Sequence, residues 1–375
     1  MSIYDKLGVK RVINAWGTMT KLGGSLILPE ATEAMDEAAK AFVDMDELHK
    51  QAGKIIAEIT GAKAAYVTSG AAAALVLAVA ACMTGDDPER MSQIPYTEGF
   101  KNEVIIPAVQ DNEYVRNFAI PCAKLVKVGT KDGYTTEDVE NAVTENTIAI
   151  GFVFFTSRLG CDMESLRKVV KIAKKHSIPV IVDAAAELPP IKNLRGIVAT
   201  GADLVAFSGG KDIRGPNDSG FIVGRADLIK IIAAHGCPHH YIGRPMKVSK
   251  EQIVGLIVAL QNYTPEAVKT RQEMWEAMAE YFVKELSAED MKTEKIVPNP
   301  EKHDYSAQGW PRVRLTFDEG KLGTTAAEVN RLLRDGNPVI YAEQSGNRIT
   351  LNPQCLQAGE ERIIVNRLRK ILKRQ

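Results

Sequence analysis

Between residues 60 and 210 the chain alternates two hydrophobic patterns. Short apolar runs recur at Ala64–Val67, Glu103–Ile106, Lys124–Val128, Thr147–Phe154, Pro179–Val182 and Asp203–Phe207, with the length of strands buried on both faces. Between the fourth and fifth, Met163–His176 places Leu166, Val169, Val170 and Ala173 at helical spacing. A further apolar stretch, Ala71–Met83, follows Ser69-Gly70 and reads as a buried helix; a bilayer span takes roughly 20 residues. Apolar strands separated by helices predict an α/β fold with a mainly parallel sheet covered on both faces. Helices are also expected over Pro29–Phe42, up to Thr60-Gly61, over Lys250–Tyr263 and on to about Leu286. From Trp310 the pattern changes to strand–helix–strand–strand–helix: Val313–Phe317, Thr325–Arg334, Val339–Ala342, Arg348–Leu351 and Glu360–Leu372. We read residues 1–50 as an N-terminal segment joining the small domain, 51–262 as the large domain, and 263–375 as a small α+β domain.

Composition narrows the function classes. The 375 residues are 45% hydrophobic and 25% charged, enough to bury a large core. Lysine plus arginine equals aspartate plus glutamate at 47 each, which argues against nucleic acid or a membrane surface as the general partner. Five scattered cysteines without paired spacing, and an N-terminal Met1-Ser-Ile-Tyr-Asp unlike a signal peptide, predict a reducing cytoplasm.

Ligands of parallel sheets lie at the carboxyl ends of the strands. Three segments meet that condition: Thr68-Ser69-Gly70-Ala71, Asp183, and Ser208-Gly-Gly-Lys211. A lysine delivered by glycines after a buried strand suits imine chemistry with an aldehyde cofactor, pyridoxal 5'-phosphate. An acid closing the run Val-Ile-Val would keep the pyridine nitrogen protonated. The start of the apolar helix would offer N–H groups to the phosphate, with Thr68, Ser69 and Ser208 adding hydroxyls; read alone, Ser69 is an ordinary helix cap. Arg158, Arg214, Arg244 and Arg348 are candidates for a substrate acid, Arg348 from a small-domain strand, although surface salt bridging is the default reading of each. His235, Cys237, His239 and His240 lack standard zinc spacing; we expect a loop at the cleft mouth or a subunit interface and assign no metal.

These residues carry a family resemblance. Lys124-Leu-Val-Lys-Val-Gly-Thr, His176-Ser-Ile-Pro-Val-Ile-Val-Asp183 and Gly201-Ala-Asp-Leu-Val-Ala-Phe-Ser-Gly-Gly-Lys211 resemble the bacterial selenocysteine synthase (L-seryl-tRNA selenium transferase) family. Arg11-Val-Ile-Asn-Ala, Val182-Asp-Ala-Ala-Ala-Glu187 and Ser219-Gly-Phe-Ile-Val-Gly-Arg225 are similar to its relatives of the D-glucosaminate-6-phosphate ammonia-lyase type. The resemblance implies the aspartate-aminotransferase-like fold (fold type I), pyridoxal phosphate on Lys211, and sites completed across a homodimer or larger ring. It further implies a group stacking on the cofactor ring after strand Glu103–Ile106, for which Gln110 is the candidate. Asn14, in the Arg11 motif, and Ser157 and Arg158, where the relatives carry a histidine-rich stretch, are added as substrate-binding candidates. The expected activity is an ammonia-lyase (a carbon–oxygen and carbon–nitrogen lyase) acting on a small hydroxylated amino acid, sugar-derived ones included. A racemase, an epimerase or an aminotransferase would use the same carbanion. A selenium transferase acting on charged tRNA is disfavoured because the core motif begins near residue 11 and the net charge is zero.

Overall fold

In the computed structural model, which describes residues 2–154, 160–296 and 310–373, the N-terminal strand β1 (Val12–Ala15) pairs in parallel with a strand more than 300 positions later. Contacts divide the chain into two units, Met1–Leu26 with Pro265–Gln375, and Ile27–Thr264. Residues 27–50, including the helix Pro29–Ala38, group with the larger unit, so this partition differs from the sequence division by that stretch.

The larger unit holds β2 (Ala64–Thr68), β3 (Glu103–Pro107), β4 (Lys124–Val128), β5 (Thr147–Val153), β6 (Val180–Asp183), β7 (Leu204–Ser208) and β8 (Gly220–Gly224). Their order is β2-β8-β7-β6-β5-β3-β4. The pairs β4–β3–β5–β6–β7 are parallel, and β8 runs antiparallel to both its neighbours. β3, β5, β6 and β8 are buried at every position, as continuous apolar runs require of a two-sided sheet. Helix Gly70–Thr84 packs on the sheet and buries all but three of its fifteen residues. Helix Met163–Lys175 instead buries one stripe, Leu166, Val169, Val170, Ile172 and Ala173, and starts where the Asp162 side chain accepts from the Ser165 N–H.

The smaller unit adds β9 (Met291–Ile296), β10 (Arg312–Phe317), β11 (Val339–Ser345) and β12 (Arg348–Leu351), in the order β1-β11-β12-β10-β9. The long helix Pro265–Leu286 buries Val268, Trp275, Met278, Ala279, Phe282 and Leu286 along one side. Strand β9 is absent from the sequence reading: its core, Lys-Thr-Glu-Lys, belongs to an edge strand with only its two ends buried. Among the described residues no helix is long and apolar enough to cross a membrane.

The histidine cluster is corrected here. Helix Ala226–His235 carries His235 as its last residue, fully buried, with Nε2 2.9 Å from Thr84 Oγ1. His235 therefore belongs to the core and not to a loop. His239 lies outside that helix, its Nδ1 3.2 Å from the Gly236 carbonyl. No group of three potential metal ligands occurs among the described residues. A second buried histidine, His49, stacks on Tyr66 at 4.4 Å.

Burial pushes both His49 and His235 down from 6.5 to about 4. The unfolded chain protonates near the ordinary value while the fold resists until lower pH, so their stabilisation is complete above about 6.5 and is lost as pH falls toward 4. Urea unfolding across that window should show falling stability, with a shallower slope in His235→Gln. An unchanged slope in the variant would remove His235 from the account.

Candidate active site

Backbone register assembles the first corner. Gly220 of β8 lies opposite Thr68 on one side and Ser208 on the other, so the three positions stand level across adjacent strands. A Cβ on Gly220 would sit 2.5 Å from the Gly70 carbonyl carbon and 2.7 Å from the Ala71 nitrogen. Only glycine lets the helix start rest against that strand. Gly70 has φ +87°, in the region glycine favours, and there the chain turns from β2 into the helix. Ser69 makes no side-chain capping bond, so the ordinary cap reading fails and the first-turn N–H groups are left to other partners. The Thr68 hydroxyl donates to the Gly70 carbonyl at 2.9 Å and fixes the turn.

The lysine loop is held as tightly. A Cβ on Gly209 would meet Ser219 Oγ at 2.3 Å, and one on Gly210 would meet the Asn217 Cα at 2.3 Å. Gly209 N–H donates to the Ser219 carbonyl at 2.9 Å, and Arg214 N–H to the Lys211 carbonyl at 3.1 Å. Asp212, buried next to Lys211, accepts from the Tyr263 hydroxyl at 2.6 Å. This anchor was not anticipated, because nothing in the sequence links positions 51 residues apart.

Asp183 closes β6, level with Val153 of β5 and Ala206 of β7. It is buried, and Ala185 N–H donates to its Oδ1 at 3.1 Å. Burial raises its pKa, opposed by that N–H and by the Lys211 ammonium. Burial lowers Lys211, opposed by Asp183 and then Glu187. Glu187, which the sequence reading left without a role, is 4% exposed and pushed up to about 7, first by burial and then by Asp183. Its Oε1 has no hydrogen-bond partner among the described residues. An acid four places beyond Asp183, after three alanines, was the available signal. Two carboxyls and an amine thus sense one another's charge away from water.

The remaining candidates disperse. Gln110 is fully buried, its Oε1 accepting from Val153 N–H at 2.8 Å and its Nε2 donating to the Gly160 carbonyl at 3.2 Å. Its amide thereby clamps the end of β5. Asn14 spends its amide on its own turn, accepting from the Trp16 and Gly17 N–H groups at 3.0 and 3.1 Å. Asn14 and Arg348 belong to the smaller unit, Arg348 exposed at the start of β12. Arg244 is exposed, its Nη1 3.9 Å from Cys237 Sγ. Arg214 adopts φ +62°, its carbonyl accepting from Leu28 N–H at 3.0 Å. Ser157 and Arg158 lie outside the described residues.

The profile of the L-seryl-tRNA selenium transferase family matches residues 12–332. The chain belongs to this family. D-glucosaminate-6-phosphate ammonia lyase of Salmonella typhimurium is 35% identical over 99% of this chain and 98% of its own length. A 5'-C-glycyluridine monooxygenase-decarboxylase of a Streptomyces species is also 35% identical, over 98% and 92% respectively. The solved structure of a D-glucosaminate-6-phosphate ammonia-lyase superposes with a TM-score of 0.81 at 33% identity, covering 100% of this chain and 98% of that one. The fold is the fold type I, aspartate-aminotransferase-like architecture expected from the sequence.

The residues of this family member fit pyridoxal phosphate. Uncapped first-turn N–H groups suit the phosphate, a desolvated carboxyl suits a ring N–H⁺, and an amine of lowered basicity suits the aldehyde. Gly220→Ala should force the helix start off β8 at a cost of about 1–3 kcal/mol. Titrating the apoprotein with pyridoxal phosphate, followed by absorbance, should then give affinity weaker by about tenfold or more. Wild-type affinity in that variant would exclude this corner from the phosphate site.

Proposed function

We propose that the protein is a pyridoxal phosphate-dependent ammonia-lyase that removes the β-hydroxyl of a small, sugar-derived hydroxy amino acid and releases ammonia and a 2-keto acid. The observation that carries this reading is the electrostatic coupling of a half-buried amine, Lys211, with the buried acid Asp183, in a chain related over nearly its whole length to D-glucosaminate-6-phosphate ammonia lyase.

Bound pyridoxal phosphate supplies an aldehyde that condenses with amines and a ring that accepts electron density from a carbon losing its proton. The N–H groups of Gly70 and Ala71 and the Ser208 hydroxyl would hold the phosphate. Asp183 would serve the ring nitrogen and keep it protonated, which would offset the cost of burying the carboxylate. Lys211 would hold the cofactor through its amine. Free of it, Lys211 would be the base that removes the α-proton, its basicity lowered by burial. The ammonium formed returns a proton to the departing hydroxyl, and the released enamine hydrolyses to keto acid and ammonia. Arg214, three residues beyond Lys211, is our candidate for the substrate acid.

Ammonia and 2-keto acid should form from D-glucosaminate 6-phosphate or a related amino-sugar acid, assayed beside its unphosphorylated form and D- and L-serine. Lys211→Ala should lower the rate by about 1000-fold or more, and Asp183→Asn should also be severely impaired. Retained activity in Lys211→Ala overturns the mechanism. Oxygen uptake without ammonia would move the protein toward the chemistry named for its monooxygenase-decarboxylase relative.

We also infer a homo-oligomer, because Phe42 is 102% exposed with Val43 beside it at 51%, an apolar pair that a lone chain leaves in water. Light scattering should give a mass above the 41.0 kDa of one chain, and Phe42→Asp should lower it. A wild-type monomer at working concentration refutes this.

A further inference from the structure

The lyase reading gives one buried acid a task and leaves the other idle. Asp183 and Glu187 share a single half-buried amine, Lys211, among the described groups that act on them. The residues between the acids are three alanines, which offer no side-chain hydrogen bond. The backbone of Glu187 is fixed, its N–H donating to the Ala184 carbonyl at 3.2 Å and its carbonyl accepting from Asn193 Nδ2 at 2.9 Å. Its side chain is enclosed, with Oε1 unpartnered. A carboxylate in that state is expensive unless a cation stands nearby or it takes up a proton. Among the described residues, the cationic group that acts on Glu187 is Lys211.

We propose that Glu187 is a positioning residue whose enclosed carboxylate raises the proton affinity of the Lys211 nitrogen. This rests on the cofactor reading of Lys211 and Asp183. The charged groups acting on Glu187 are Asp183, from the end of β6, and Lys211, from the loop after β7. Burial, and Asp183 after it, pushes Glu187 up to about 7, so its carboxylate forms within the neutral range. With the carboxyl present, the lysine nitrogen keeps its proton to higher pH than it otherwise would; without it, protonation requires more acid.

The test is an absorbance titration of the loaded protein across the neutral range, where the visible band reports protonation of the nitrogen joined to the cofactor. Glu187→Gln should keep the band and shift its midpoint down by about one pH unit, a tenfold loss of proton affinity. Glu187→Asp, which retains a carboxyl, should restore most of that shift. An unmoved or raised midpoint in Glu187→Gln overturns the proposal, since a merely structural role would leave it in place. Should that variant fail to fold, wild-type protein still decides: its infrared difference spectrum must contain a protonated-carboxyl band that titrates in the neutral range, and absence of the band overturns the proposal. Failure of the cofactor reading is distinct, because wild-type protein would then develop no visible band with pyridoxal phosphate.

Discussion

The larger unit depends on one constraint: charged groups are placed where water is excluded, at the ends of strands that are otherwise wholly apolar. Asp183 closes a strand in which every position is buried, and Lys211 follows another whose first four positions are. Neither group has enough solvent to be indifferent to its neighbours, so each one's protonation depends on the others. In water such coupling would be weak; in the interior it governs the chemistry.

Much of this was legible because buried parallel strands leave a strong trace. The runs at β2, β6 and β7 are short and apolar, and their carboxyl ends pick out Thr68, Asp183 and Lys211 without any knowledge of packing. The glycines before Lys211 were legible as a turn. Their strict requirement emerges only in three dimensions, where Asn217 and Ser219 occupy the space a side chain would need.

What was not legible had no local signature. Gln110 resembles a loop residue facing a ligand until Val153 and Gly160 are seen to use both ends of its amide. Asn14 likewise satisfies its own turn. Helix Ala226–His235 continues an apolar stretch into a histidine, and adjacency to Cys237 and His239 masked its burial against Thr84. Glu187 gives one trace, its place after three alanines beyond Asp183, but its enclosure emerges only in three dimensions.

The antiparallel direction of β8 has a topological consequence. β8 runs antiparallel to β7, so residues 209–219 can join the two directly, with no helix between them, and that return carries Lys211. The reach of that amine is therefore set by the length of a hairpin. Lengthening the connection would displace Lys211 even with every side chain intact, so spacing in this segment is as binding a requirement as residue identity.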